Sequence, residues 1–157
     1  MLVIRKATAG DAPLLIEMIR ELAEFEHELD QVDITSEDLL RDGFCSSPCF
    51  QALIAEWGGQ TAAYALYFFT YSTWAGRTSL FVEDLFVRAE FRRKGIGKAL
   101  LKHMAAIARE RNCYGMRWEV LNWNTSAIDF YRSLGAKLQS ELFPVLLMGD
   151  RFEEFSG

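Results

Sequence analysis

The chain has 157 residues, half of them hydrophobic and a quarter charged, and a net charge of −5. We expect residues 1–157 to form a single domain with enough core to need no metal or disulfide staple. The balance excludes a disordered polymer, a collagen-like repeat and a coiled coil, and no apolar run approaches the ~20 residues of a membrane span.

In chain order, Val3 to Arg5 reads as a short strand. Asp11-Ala12-Pro13 opens a helix, with Asp11 as the expected cap and Pro13 in the first turn. Leu14, Leu15, Met18, Ile19, Leu22 and Ala23 follow at helical spacing. Thr35-Ser36-Glu37-Asp38 resembles a capping box and starts a second, shorter helix. Phe50 to Trp57 and Thr61 to Tyr71 read as two strands joined at the Gly58-Gly59 turn. Thr78 to Arg88 is a further strand, interrupted by Glu83-Asp84. Side chains alternate along a strand, so one of these carboxylates must face the interior, where it is costly unless paired or functional. Gly95 to Arg111 is an amphipathic helix with Ile96, Leu100, Met104, Ile107 and Ala108 on its apolar stripe. Gly115 to Leu121 reads as a strand. Asn124-Thr125-Ser126 caps a helix that Gly135 ends. One or two strands are expected between Ala136 and Met148. The order describes an α/β domain with antiparallel hairpins first and a βαβ unit later.

Three cysteines, Cys45, Cys49 and Cys113, make an odd number, which favours free thiols and a cytoplasmic protein. The first residues lack the basic-then-apolar pattern of a signal peptide. Cys45 and Cys49 have loose ligand spacing, and only His27 and His103 could join them, so no metal site is expected.

Charge is segregated. Residues 1–60 hold four basic and twelve acidic side chains, whereas residues 88–111 hold eight basic and two acidic ones. Solvated helix faces would produce such runs, but so would separate surfaces for an anion and a cation. The basic run ends at a helix start, Gly95-Ile96-Gly97, where unpaired backbone N–H groups attract phosphate and glycines admit it closely. Arg92, Arg93, Lys94 and Lys98 add formal charge. A Walker A loop is excluded because Ala99 follows Gly97-Lys98, and a dinucleotide fingerprint is excluded because Leu100 stands where its third glycine belongs. Duplex nucleic acid fits poorly with an acidic molecule that has no recognition helix. The pattern Arg92-Arg93-Lys94-Gly95-Ile96-Gly97 instead matches Arg/Gln-x-x-Gly-x-Gly/Ala.

With that motif, the chain resembles the GNAT N-acetyltransferases over essentially its whole length. Within them it looks most like the diamine (spermidine/spermine) and thialysine acetyltransferases. The resemblance is carried by Ile4-Arg5-Lys6-Ala7-Thr8, Glu21 to Glu26, Asp38 to Phe44, Tyr67 to Trp74, Val82 to Val87, Trp123-Asn124 and Ile128 to Tyr131. It implies the GNAT fold, a mixed and splayed central sheet flanked by helices. Acetyl-CoA would enter between the fourth and fifth strands and pair with backbone groups of Leu85, Phe86 and Val87. Arg92, Arg93, Lys94, Gly95, Ile96, Gly97 and Lys98 would hold its pyrophosphate, Asn124 would contact it, and Tyr131 would lie near its sulfur.

The chemistry this implies is attack of a neutral amine on a thioester. Glu83 is the candidate base, acting through water, on the expectation that burial raises its pKa. Tyr131 is the candidate acid for the leaving thiolate. An oxyanion site would come from a strand N–H near Leu85 or Phe86. The resemblance puts Phe25, Glu26, Glu83 and Asp84 around a cationic acceptor, such as a polyamine or a lysine-like amino acid, and implies a homodimer. A ping-pong route through Cys113 is the competing mechanism. A protein lysine or N-terminal acetyltransferase, or an acyl-CoA-binding protein without turnover, is the competing function. Closure of the acceptor cleft by Phe68, Tyr71 and Trp74 would favour small molecules. Neither a nucleic acid nor a membrane is expected as a partner.

Overall fold

The apolar segment at the N-terminus pairs as β1 (Leu2–Lys6) along β2 (Gln51–Trp57), with Ile4 opposite Ala55. The computed structural model describes residues 1–157, which divide into two compact units, residues 1–119 and residues 120–157.

In the first unit, β2 turns back through Gly58-Gly59 into β3 (Gln60–Ser72). Both glycines have positive φ, 59° and 82°, as a tight hairpin turn of the primed type requires. β3 returns into β4 (Arg77–Val87), and β4 pairs in parallel with the three-residue β5 (Met116–Trp118). The strand order is β1-β2-β3-β4-β5, antiparallel up to β4. The expected strand from Gly115 to Leu121 is shortened at both ends, and the βαβ crossover into it is α3 (Ile96–Glu110).

Paired residues share a face, so the ladder sorts the core. On one face Ala52, Ile54, Tyr64, Leu66 and Phe86 pack with Ala12, Leu15 and Met18 of α1 (Ala12–Phe25) and Leu39 of α2 (Ser36–Gly43). The alternation turns the buried Leu53, Ala55, Ala63, Ala65, Leu80 and Val82 the other way, where α3 packs with Ile96, Leu100, Leu101 and Met104 buried. Burying a Leu or Met of this kind is worth roughly 2–3 kcal/mol.

A bulge interrupts β4. Leu66 pairs with Asp84 but the next β3 residue, Tyr67, pairs with Val82, so Glu83 is the extra residue. Without it Asp84 would fall in phase with Leu80 and Val82 and face α3. With it Asp84 joins Tyr64, Leu66 and Phe86 on the α1 face.

The caps explain the helix ends. Thr35 closes a capping box with Asp38 as expected, its hydroxyl accepting the Asp38 N–H at 3.2 Å. Asp11 behaves differently from the expectation. It occupies the position before α1, but its carboxylate caps no α1 N–H. It accepts from the Thr8 N–H and from both terminal nitrogens of Arg5 at 2.9 Å. A bidentate guanidinium is the stronger partner, and it holds the Asp11 carboxyl well below the usual carboxylate range. Arg5 also reaches Glu56, tying β1 to β2. α1 ends in a Schellman turn with His27, rather than glycine, at φ 62°, and Glu28 N–H bonds Ala23 O at 2.8 Å.

The second unit holds α4 (Thr125–Ser133) and α5 (Asp150–Ser156). Gly135, at φ 88°, closes α4 as expected, with Ala136 N–H on Tyr131 O at 3.2 Å. The strands expected between Ala136 and Met148 are not formed. Leu142, Phe143, Val145 and Leu146 are exposed, and Pro144 in their midst cannot donate to a ladder. Strand-forming composition needs a neighbouring strand to become a strand, and this segment has none.

Candidate functional site

The expected glycine turn into a helix is formed. A short 3-10 turn, Ala89–Phe91, follows β4, and two left-handed residues, Arg93 at φ 62° and Gly95 at φ 75°, curl the chain into α3. Gly95 is the N-cap and makes no side-chain cap bond, so the first N–H groups of α3 have no capping side chain. A Cβ on Gly95 would meet nothing within 4 Å, and one on Gly97 would meet only Val87 Cγ2 at 3.8 Å. Packing therefore does not require glycine at 97, and glycine inside a helix costs about 1 kcal/mol. The bare backbone there suits the close approach of an outside group such as a pyrophosphate.

The cations of this region do not act as one patch. Arg88 turns to α1 and donates to Glu21 at 2.7 and 3.0 Å and to Glu17. Arg92 donates Nε–H to Val87 O at 3.0 Å, and its guanidinium lies 4.8 Å from the centre of the Phe25 ring. Lys94 sits 5.7 Å over Trp57, and Arg111 sits 4.6 Å over Phe69. Arg93 and Lys98 are the exposed cations beside the turn without such a partner. Reading Arg92 and Lys94 as phosphate ligands thus needs them to leave aromatic rings worth roughly 0.5–1 kcal/mol each at an exposed site.

β5 ends opposite Val82, so β4 runs on from Glu83 to Val87 with no strand on its far edge. Arg88 N–H bonds Ala62 O on the β3 side. By alternation the backbone groups of Leu85 and Val87 point to the open edge, and those of Phe86 point to β3. Of the three residues expected to pair with the arm of acetyl-CoA, Leu85 and Val87 present their backbone outward. The Val87 carbonyl already accepts from Arg92.

At the bulge the two adjacent carboxylates separate. Glu83 is exposed, contrary to the expectation that burial would tune it. Asp84 is the residue turned inward. Burial pushes its carboxyl up to about 6, with Glu83 and Glu26 adding to the rise and a hydrogen bond from Tyr64 opposing it. The Tyr64 hydroxyl donates to Asp84 Oδ2 at 3.0 Å. Burial, then the charge of Asp84, holds the phenol well above its ordinary value, so it stays a donor. Glu26, at the C-cap of α1, is itself raised by burial and by Glu28. The charges of Glu26 and Glu83 therefore both act on Asp84.

A cleft of about 570 Å³ is lined by Glu17, Glu21, Glu24, Phe25, Arg88 and Arg92 among others, and not by Glu26, Glu83 or Asp84. Phe25 lies in this cleft as an exposed ring under Arg92. The aromatic closure of an acceptor cleft is not formed. Tyr71 and Trp74 are exposed, and Phe68 stacks on Phe81 at 5.2 Å.

Sequence reading missed Tyr64, which looked like one aromatic among many in β3. Its partner became readable only through the β3–β4 register, which sets it diagonal to Asp84. It also missed Arg88 as a tie between β4 and α1. Cys113, the competing nucleophile, has its Sγ 3.3 Å from Thr78 Oγ1. No cluster of three His, Cys, Asp or Glu side chains could hold a metal ion, and no helix is long and apolar enough to cross a membrane.

In the second unit Asn124 caps α4, its side-chain oxygen accepting Ala127 N–H at 3.2 Å. That leaves the carboxamide nitrogen as the group for a ligand. Tyr131 follows two turns later, half-buried, its ring centre 5.5 Å from that of Phe130.

Known proteins are similar to this chain. The profile of the acetyltransferase (GNAT) family covers residues 16–136. A thialysine N-epsilon-acetyltransferase of Sus scrofa is 43% identical over 85% of this chain and 83% of its own. The human spermidine/spermine N(1)-acetyltransferase-like protein 1 is 41% identical over 85% of this chain, which spans only 20% of that protein. Among solved structures, an integron cassette protein from the mobile metagenome of V. cholerae shares the fold with a TM-score of 0.82 at 24% identity, over 99% of this chain and 97% of its own. The splayed mixed sheet, the glycine turn into α3 and the match over most of the chain lead to one assignment: the chain is an acetyltransferase and belongs to the GNAT family.

Proposed function

We propose that this chain transfers the acetyl group of acetyl-CoA to a primary amine of a small cationic acceptor, a polyamine or a thialysine-like amino acid, as a homodimer in the cytoplasm. The observation that carries the acceptor class is the inward Asp84 with the charges of Glu26 and Glu83 acting on it. An ammonium gains from such a field, and an anionic acceptor would be repelled. The names of the relatives point the same way.

In this reading the turn from Arg93 to Lys98 holds the pyrophosphate, with Gly95, Ile96 and Gly97 offering backbone N–H groups. Leu85 and Val87 hold the pantetheine arm by their outward backbone. Asp84 holds the ammonium. Glu83, exposed on the bulge and in reach of solvent, takes one proton through a water. The amine nitrogen then bonds to the thioester carbonyl carbon, the carbon–sulfur bond breaks as Tyr131 gives its proton to the leaving sulfur, and the remaining extra proton on the new amide nitrogen passes to the Tyr131 phenolate.

The deciding experiment is the initial rate of CoA release from acetyl-CoA across spermidine, spermine, putrescine, lysine, thialysine and a lysine peptide. Saturable turnover on a small cationic amine is expected. Turnover only on the peptide would move the chain to the protein acetyltransferases. Tight acetyl-CoA binding with no turnover on any of them would favour the binding-only reading. Raising ionic strength from about 0.05 to 0.5 M should raise the acceptor KM several-fold by screening, and a KM indifferent to salt would count against electrostatic capture.

Glu83→Gln should lower kcat by removing the group that takes the amine's proton. It should leave in place the acidic limb near pH 6, which this reading assigns to Asp84. A variant with the wild-type kcat would remove Glu83 as the base.

A further inference from the structure

We propose that Tyr64 is a positioning residue of the acceptor site, its buried hydroxyl holding one oxygen of Asp84 so that the other is aimed at the acceptor's ammonium. The inference rests on the acceptor reading above and adds the part that makes it geometrically specific.

Tyr64 is fully buried in the cluster between the sheet and α1, and every other buried member of that cluster is apolar. A hydroxyl in such a place costs free energy unless it is bonded, and phenylalanine would fill the same space. The phenol reaches Asp84 Oδ2 at 3.0 Å. Asp84 Oδ1 takes no hydrogen bond from the protein and is not fully sealed, so it can still accept from an outside donor. The carboxylate is thus clamped on one oxygen and free on the other.

The bulge makes this possible. Because Glu83 is the extra residue, Asp84 lies on the Tyr64 face, one rung from the Tyr64–Phe86 pair. The charged and titratable groups acting on Asp84 are Tyr64 from β3, Glu83 beside it on β4 and Glu26 from the end of α1. The two glutamates and burial favour the protonated acid, and Tyr64 favours the carboxylate. Tyr64 therefore keeps the site anionic at neutral pH as well as oriented.

The test is Tyr64→Phe in the full chain, beside Asp84→Asn. For Tyr64→Phe the acceptor KM at pH 7 should rise roughly five- to tenfold. The acidic limb of kcat/KM should move up by roughly one pH unit, and the acetyl-CoA KM should stay within about twofold, since no cosubstrate contact is assigned to Tyr64. In an Asp84→Asn background the same substitution should add little to the acceptor KM. A folded Tyr64→Phe enzyme with the wild-type acceptor KM and acidic limb would overturn the role of Tyr64. If Asp84→Asn also left the acceptor KM unchanged, the acceptor reading itself would fall. Should Tyr64→Phe not fold, 3,5-difluorotyrosine at position 64 keeps the shape and strengthens the donor. The acidic limb should then move to lower pH, and an unmoved limb would equally overturn the proposal.

Discussion

Tyr131→Phe is expected to lower kcat by roughly 10²–10⁴-fold, the range for loss of a positioned general acid, with acetyl-CoA affinity almost unchanged. A CoA thiolate leaves more easily when a proton reaches it as the carbon–sulfur bond breaks, and the proposed function gives Tyr131 the role of supplying one. Phenylalanine keeps the ring, and with it the packing against Phe130 on α4. The helix itself is secured elsewhere, by the Asn124 cap and the Gly135 turn. Loss of rate with unchanged melting temperature and acetyl-CoA KM would mark an interaction made in the transition state. Near-normal turnover would end the acid assignment and reopen the choice of donor.

Asp84→Asn should do two opposite things, weakening acceptor use and strengthening the fold. The Asp84 carboxyl is pushed from 3.8 to about 6 by burial and its acidic neighbours. A carboxyl with a raised folded pKa is protonated more readily in the folded chain than in the unfolded one. It costs no stability below about pH 4, and the cost grows through pH 6 and is full above it. A rise of this size corresponds to roughly 3 kcal/mol as an upper figure. Asparagine is isosteric, carries no charge to bury and still offers Tyr64 an oxygen. The variant should therefore be more stable at pH 7.5 by about 1–3 kcal/mol, raising Tm by roughly 3–8 °C, and the gain should shrink toward pH 4. Acceptor kcat/KM should fall roughly a hundredfold, as when a buried charge partner is lost. A lower Tm at pH 7.5, or a gain that does not depend on pH, would show that Asp84 is satisfied in the fold rather than held at a cost for function.

The two carboxylates also show where sequence reading stops. From Glu83-Asp84 inside an apolar strand, alternation requires one of them to face inward, and that much is correct. Which one depends on the register with β3. The bulge shifts the phase by one residue, so the burial expected of Glu83 belongs to Asp84. A bulge is a property of two strands together and leaves no mark on one strand's hydrophobic pattern. The same holds for the basic run. Its charge and its glycines locate the turn, but an arginine side chain can reach several partners. Arg88 finds Glu17 and Glu21, and Arg92 finds Phe25 and Val87 O.

Local chemistry was sufficient for the order of elements from β1 through α4. Helix periodicity, the Thr35–Asp38 box, the Gly58-Gly59 turn, the Gly95 start and the Gly135 stop each act within a few residues. It was equally sufficient for a basic glycine turn in one stretch of the chain and an excess of carboxylates in another. Tertiary structure alone decided that Tyr64 meets Asp84, that β5 stops at Trp118 and leaves the β4 edge open, and that residues 136–149 remain outside any strand. Helices and turns are closed by bonds between near neighbours in the chain, so the residues that make them can be read in place. A strand is completed only by a partner that may lie tens of residues away, and the direction of every side chain on it waits for that pairing.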